Sequence, residues 1–226
     1  MKRKDFVIVL AWPETKCKQA GAWYDGLMAS LGLNSDGYYK VGHAALITVN
    51  GETGTCEYYD FGRYHSPSGF GRVRHSKSDF DLVINTKAVF SENQKIINVA
   101  DILTELERNK NTHGEGKLVA SITPVDLVSA KRTINQFIDR QFIPYGPFVL
   151  EGTNCSRFVS SVIKRAALSR KVRLRLKLPL TISAMPIWNV RYAGTEIKRE
   201  TRNSVTLQTT FYRSKIKLKS SYDQVA

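Results

Sequence analysis

Apolar residues in this chain fall into short runs separated by turn chemistry, a pattern that mixes strands and helices around a shared core. Phe6-Val7-Ile8-Val9-Leu10-Ala11 is an unbroken apolar run closed by Trp12-Pro13, which predicts a strand buried on both faces. A helix is expected from about Glu14 to Leu31, ending at Gly32. Gly42 to Val49 reads as a strand, Asn50-Gly51 as the start of a turn, and Thr55 to Phe61 as the returning hairpin partner. The stretch from Gly62 to Ser78, rich in Gly, Ser, Arg and His, reads as a loop. Phe80 to Phe90 resumes a strand pattern, Asp101 to Arg108 a short helix, and Lys117 to Ile122 another strand.

Thr123-Pro124-Val125-Asp126 has the chemistry of a helix start, with a capping hydroxyl, Pro at the first helical position and an early acid. Leu127, Ile134, Phe137 and Ile138 supply that helix with an apolar stripe, and Pro144-Tyr145-Gly146-Pro147 ends it in a loop. A last helix is predicted from Asn154 to about Leu168. Alternation in Val172-Leu174-Leu176-Leu178 and in Val205-Leu207-Thr209-Phe211 predicts two strands. The expected class is α+β with a largely antiparallel sheet. There are no repeats and no clear linker.

Composition narrows the classes without naming a function. The chain has 226 residues, 42% hydrophobic, so neither a disordered chain nor a coreless one is expected. No apolar run approaches the ~20 residues of a membrane span. Met1-Lys2-Arg3-Lys4 imitates the head of a signal peptide, but the apolar run after it is short and leads into Pro13-Glu14-Thr15 with no small-residue cleavage site. Three cysteines, Cys17, Cys56 and Cys155, are too few for a disulfide framework, and a reducing, cytoplasmic setting is expected. The 34 Lys and Arg against 20 Asp and Glu leave a net charge of +14. It concentrates between Lys164 and Lys177 and between Lys198 and Lys219, which suits contact with a polyanion or merely a solvated face. His and Cys spacings match no zinc pattern, and no phosphate-cradling glycine loop is present, so neither metal nor cofactor is expected.

Candidate chemistry centres on Cys155, in Gly152-Thr153-Asn154-Cys155-Ser156-Arg157-Phe158-Val159. At the opening of a helix, unpaired amides and the positive end of the helix dipole favour a thiolate. Cys155 precedes Phe158 and Val159 by three and four residues, so it shares the buried stripe and points toward whatever the helix packs on. A buried core cysteine is the competing reading. A thiol nucleophile needs a base. Of His43, His65, His75 and His113, only His43 opens a strand, His43-Ala44-Ala45-Leu46-Ile47-Thr48-Val49, whose small residues leave room for close packing. A structural histidine at a strand end is the alternative.

The hairpin suggests the third group. A two-residue or a four-residue turn puts the even-numbered residues of the returning strand on the face of His43, with Asp60 a diagonal neighbour. A three-residue turn would promote Glu57 instead. Asp60 is the favoured partner.

Gly42-His43-Ala44-Ala45-Leu46-Ile47, followed much later by Asn154-Cys155-Ser156-Arg157-Phe158-Val159, resembles the circularly permuted branch of the NlpC-like, papain-fold cysteine hydrolases. In that branch the His strand precedes the Cys helix. Pro144-Tyr145-Gly146 resembles the family's Tyr-Gly approach to an Asp-Cys-Ser-Gly nucleophile motif; Asn154 and Arg157 depart from its Asp and Gly. The resemblance covers roughly Gly42 to Phe61 and Tyr145 to Ala167. It implies a papain-like domain over residues 1–226 with a basic C-terminal extension from about 170 to 226. It also implies an amide, ester or thioester substrate, including peptides and cell-wall stem peptides. Cys155 would be the nucleophile, His43 the base and Asp60 its orienting group. The Cys155 amide would serve as oxyanion donor, with Tyr145, or more remotely Trp12, as the second. An acyltransferase on the same fold would keep Cys155 and His43 and replace water with another acceptor. A non-catalytic module is the rival reading, in which the basic segments and the Ser66–Ser78 loop, with Arg72, Arg74, His75 and Lys77, bind nucleic acid or an anionic surface.

Overall fold

The computed structural model describes residues 3–18, 41–147, 149–177, 185–200 and 204–208, together with positions 26, 30, 34–35 and 38–39. The chain folds as a mixed α/β structure around a large antiparallel sheet. Its strands are β1 (Asp5–Trp12), β5 (His43–Val49), β6 (Cys56–Gly62), β7 (Phe70–His75), β8 (Val119–Val125), β9 (Ile143–Pro144), β10 (Thr195–Glu200) and β11 (Ser204–Gln208). They lie in the order β11-β10-β8-β1-β5-β6-β7-β9. Two-residue strands β2 (Cys17–Lys18), β3 (Asn34–Ser35) and β4 (Tyr38–Tyr39) form a separate small sheet. The helices are α1 (Val99–Arg108), α2 (Leu127–Asp139), α3 (Cys155–Ala166), α4 (Arg170–Lys177) and α5 (Pro186–Ala193).

The unbroken apolar run of β1 follows from burial on both faces. Val7, Val9 and Ala11 join a core beneath α2, α3, α4 and α5. Phe6, Ile8, Leu10 and Trp12 join a second core beneath α1 and the segment carrying Leu82, Ala88 and Ile96. Antiparallel pairing of β1 with β5 sets Trp12 directly opposite His43, so the first strand delivers an aromatic ring to the end of the strand that begins with histidine.

The β5–β6 hairpin has a four-residue turn. Asn50 N–H donates to the Thr55 carbonyl at 3.0 Å, and Gly54 N–H to the Asn50 carbonyl at 2.9 Å. The Asn50 side chain also accepts from the amides of Glu52 and Thr53, each at 2.9 Å. Gly54 takes a φ of +71°, where a side chain would be strained and its Cβ would run into Ala88. This loop fixes the register, with Val49 opposite Cys56 and Ala45 opposite Asp60.

Several expected elements take other forms. Within the predicted Glu14–Leu31 helix, residues 14–18 turn and then pair as β2, with Cys17 opposite Tyr39; positions 26 and 30 are helical as expected, and the remainder lies outside the described residues. The expected loop from Gly62 to Ser78 contains β7. Phe80–Phe90 is not a ladder strand. Three of its backbone donors are taken by side chains of α1 and its approach: Glu105 accepts from Asn85 and Thr86 at 2.7 and 2.8 Å, and Asn98 from Val89 at 2.8 Å.

Thr123-Pro124-Val125 continues β8 instead of opening a helix, and the cap moves to Asp126, whose carboxylate accepts from Val128 N–H at 3.2 Å and from Ser129 Oγ at 2.5 Å. The alternation at 172–176 belongs to helix α4, where Val172 and Leu176, four residues apart, are buried while Leu174 is 58% exposed. Leu178 lies outside the described residues, as do 209–211 of the last predicted strand. Helix α5 and strand β10 had no counterpart in the sequence pattern.

Candidate active site

Helix α3 begins where the sequence places its cap. Asn154 is extended, and its side chain accepts from Arg157 N–H at 2.9 Å, leaving the amides of Cys155 and Ser156 outside that cap interaction. Phe158, Val159, Val162 and Ile163 are fully buried against the sheet, which draws the first turn, and Cys155 with it, onto the core at 7% exposure. The thiol opens into a cleft of about 690 Å³ whose walls include His43, Arg63, Tyr64, His113 and Tyr145. A second cleft of about 640 Å³, between Asn50 and α2, contains none of the three cysteines and no histidine.

His43 stands at the mouth of β5 beside Gly42, whose φ of +75° lets the chain enter against the Trp12 carbonyl; a Cβ there would lie 2.9 Å from that oxygen. Trp12 packs on the imidazole, with ring centroids 5.8 Å apart and planes 24° from parallel. The register brings Asp60 to the same side, and His43 Nε2 lies 3.1 Å from Asp60 Oδ2. With a carboxylate at Nε2, that nitrogen carries the proton and Nδ1 is left for Cys155. Burial opposes charge on His43, but hydrogen bonds to Asp60 and Cys155 outweigh it and raise its pKa to about 9. Relative to an ordinary imidazole near 6.5, this contribution to stability is complete below that value and is lost as pH rises through about 9.

Asp60 is fully buried. Burial alone would raise its pKa, yet the hydrogen bond from His43 and the charge of Arg74 hold it below the ordinary carboxylate range. Arg74, on β7, lies opposite Asp60 in register and donates through Nε to Oδ1 at 3.0 Å and through Nη2 to Oδ2 at 2.5 Å. Tyr58 Oη donates to Oδ2 at 3.0 Å. The Arg74 guanidinium lies 3.6 Å above the centre of the Tyr64 ring, which meets His43 edge-on with centroids 6.4 Å apart. Glu57, the alternative partner, points to the opposite face and pairs with Lys131.

The structure therefore brings together Cys155, His43 and Asp60, with Tyr145 on the cleft wall. Tyr145 stacks on Phe61, planes 2° apart, beneath Arg63 at 5.3 Å. Trp12, in contrast, is buried behind the imidazole and is not among the cleft walls. Arg72 and Arg74, assigned in one reading to a polyanion-binding loop, are both engaged elsewhere: Arg72 forms a bidentate pair with Asp79 at 2.7 and 2.8 Å, and Arg74 is buried on Asp60.

Sequence reasoning missed Arg74 and Tyr64 as neighbours of the site. The signal available was the alternation in Gly71-Arg72-Val73-Arg74, which places both arginines on one strand face, together with the need of a buried acid for a counter-charge. It also missed Cys17, which lines the same cleft and accepts from Arg63 Nη2 at 3.4 Å. Burial raises the pKa of Cys17, and raises that of Cys56 to about 11.

No curated protein matches the chain significantly. The crystal structure of the type VI secretion system effector TseH is similar in fold, with a TM-score of 0.59 over 92% of this chain and 100% of that one, at 20% identity. The family model for type VI secretion system effectors of the TseH-like kind matches residues 7–172, a span that runs from β1 through the His43 strand and the Cys155 helix into α4. That match covers well over half of the sequence, and by it the chain belongs to the TseH-like family of type VI secretion system effectors.

Proposed function

We propose that this chain is a cysteine hydrolase of the amidase or peptidase type, built on a circularly permuted papain-like arrangement. The observation that carries the proposal is the convergence of Cys155, from a helix start, and His43, from a strand start, at one cleft, with Asp60 of the adjacent strand buried behind them on His43. Cys155 Sγ gives its proton to His43 Nδ1 and attacks a carbonyl carbon. An imidazole whose pKa is raised to about 9 keeps that proton at neutral pH until it passes to the leaving group. The Cys155 amide stabilises the oxyanion, and Tyr145 is the second donor candidate. His43 then protonates the leaving nitrogen as the C–N bond breaks, leaving a thioester on Cys155. Water adds to the thioester, its proton returns to His43, and the acid product leaves with the thiol restored.

Lys16, Ser66, Ser68, Lys110 and Glu115 give the cleft polar walls, which supports water as the acceptor over the acyltransferase alternative; an apolar acyl tunnel would have favoured the latter. Membership in a secretion-system effector family supports a site of action beyond the cytoplasm that makes the protein, and hence a peptide or cell-wall amide as substrate. No helix among the described residues is long and apolar enough to cross a membrane.

Iodoacetamide alkylation, read by mass spectrometry at each cysteine, tests the proposal without knowledge of the substrate. At neutral pH Cys155 reacts faster than Cys17 and Cys56, whose thiols burial holds protonated. His43→Ala slows the reaction at Cys155 by about tenfold or more, in line with the contribution of a positioned base. Equal reactivity of the three cysteines, or an unchanged rate in the variant, removes the Cys-His pair.

A further inference from the structure

Asp60 faces more donors than a histidine-orienting acid needs, and most of the excess comes from one side chain. Its Oδ2 receives His43 Nε2 at 3.1 Å, Tyr58 Oη at 3.0 Å and Arg74 Nη2 at 2.5 Å, and its Oδ1 receives Arg74 Nε at 3.0 Å. We propose that Arg74 is a positioning residue of the catalytic machinery: its planar fork fixes the orientation of the Asp60 carboxylate and keeps it ionised, and through it the aim of His43 at Cys155. This rests on the cysteine hydrolase reading above.

Geometry and charge both support the assignment. A carboxylate held by the imidazole and one phenol could still turn about its last torsion, whereas two parallel N–H···O bonds to a guanidinium fix its plane. Arg74 can impose that plane because it is itself fixed. It is 3% exposed, its Nη1 donates to the Asn111 carbonyl at 3.0 Å, and its face rests on Tyr64. Asp60 has no solvent exposure, and burial disfavours its charged form. The titratable or charged groups facing it are His43 from β5, Tyr58 from its own strand, Arg74 from β7, and Tyr64 and His113 from the loops; Arg74 is the permanent cation among them. Without it, Asp60 would take up a proton at higher pH and hold the imidazole less firmly. The wall of the cleft shares in the arrangement, since Tyr64 lies beneath Arg74, edge-on to His43, and stacks on His113 at 4.8 Å.

The experiment follows Cys155 alkylation from acid to alkaline pH in the wild type, Arg74→Lys, Arg74→Met and His43→Ala, with near-UV circular dichroism to establish folding. Arg74→Met should move the acid limb of the rate up by about one pH unit, which is about a tenfold loss at the acid end. Arg74→Lys, which keeps the charge but not the fork, should leave the limb near its wild-type position and lower the plateau several-fold. Limb and plateau unchanged in both folded variants would overturn the proposal. If Arg74→Met fails to fold, the plateau of Arg74→Lys decides, and a wild-type plateau refutes the positioning role. Wild-type reactivity in His43→Ala is a different failure, since it removes the Cys-His pair itself.

Discussion

At the scale of single residues, the chemistry depends on which acid faces His43. Asp60 and Glu57 are both on β6, three positions apart, and therefore on opposite faces of the sheet. Asp60 is buried among cations and a phenol; Glu57 shares a half-exposed pair with Lys131. The two should separate cleanly on substitution. Asp60→Asn leaves the Arg74 guanidinium buried with no anionic partner, and should cost about 3–5 kcal/mol of unfolding free energy, the usual range for breaking a buried ion pair. It should also slow Cys155 alkylation. Glu57→Gln should cost less than about 1 kcal/mol and leave alkylation unchanged. Urea titration and the alkylation assay, run on both variants, check the assignment. A destabilised Glu57→Gln with unaffected Asp60→Asn would invert it.

At the scale of elements, the site is made by ends: the start of β5, the start of α3, and the β5–β6 turn that sets their neighbours. The helix that opens with Cys155 is capped by Asn154. Asn154→Ala should therefore lower stability by about 1 kcal/mol, a melting-temperature drop of about 2–4 °C for a chain of this size. Differential scanning calorimetry reads the shift, and a melting temperature unchanged within error would mean that the cap does not stabilise the first turn. The misread elements have a common physical cause. Period-two alternation at Val172-Leu174-Leu176 looks like a strand, but only Val172 and Leu176 find the core, and a spacing of four is a helical face. Thr123-Pro124 carries helix-start chemistry, yet pairing with Val7 and Phe6 of β1 holds it in the sheet, and Asp126 supplies the cap one turn later. Phe80–Phe90 has strand composition but contributes Leu82 and Ala88 to the second core without joining the sheet, the amides of Asn85, Thr86 and Val89 being claimed by Glu105 and Asn98.

At the scale of the whole molecule, the net charge of +14 is not spread evenly. Lys164 to Lys177 carries seven cations and no acid, and α4 presents Arg170, Lys171, Arg175 and Lys177 to solvent. Crowding is visible at Lys164, whose pKa is lowered by burial and by the charges of Arg157, Arg165 and Lys177. This face is proposed as a contact for polyanions that complements the cleft. Binding to heparin should weaken steeply between 50 and 200 mM salt (probe concentrations of the usual order, roughly) and fall further in a Lys171→Glu, Arg175→Glu variant. Binding that is absent, or indifferent to salt and to the substitutions, would reduce the charge to a solubility device.

What the sequence by itself determined is local. Asn154 and the apolar stripe of α3 specify a helix beginning at Cys155, because a cap and a periodic face are written in adjacent residues. The runs at Phe6–Ala11 and His43–Val49 specify buried strands for the same reason, and Asn50-Gly51 marks a turn between strands without fixing its length. The pairing of His43 with Asp60 was legible only as one of two alternatives, since it depends on the length of that turn. Tertiary structure decided the rest. It chose the four-residue loop, in which Gly54 packs against Ala88 and Gly51 N–H donates to Asp5 Oδ1 at 2.8 Å, contacts that come from elsewhere in the chain. It brought Arg74 from an apparent loop onto Asp60, because a carboxylate buried by the sheet requires a cation beside it. It placed Trp12 behind the imidazole instead of in the cleft, because antiparallel register sets Trp12 opposite His43. Which side chains meet is a property of pairing between strands distant in sequence, and no local pattern encodes that pairing.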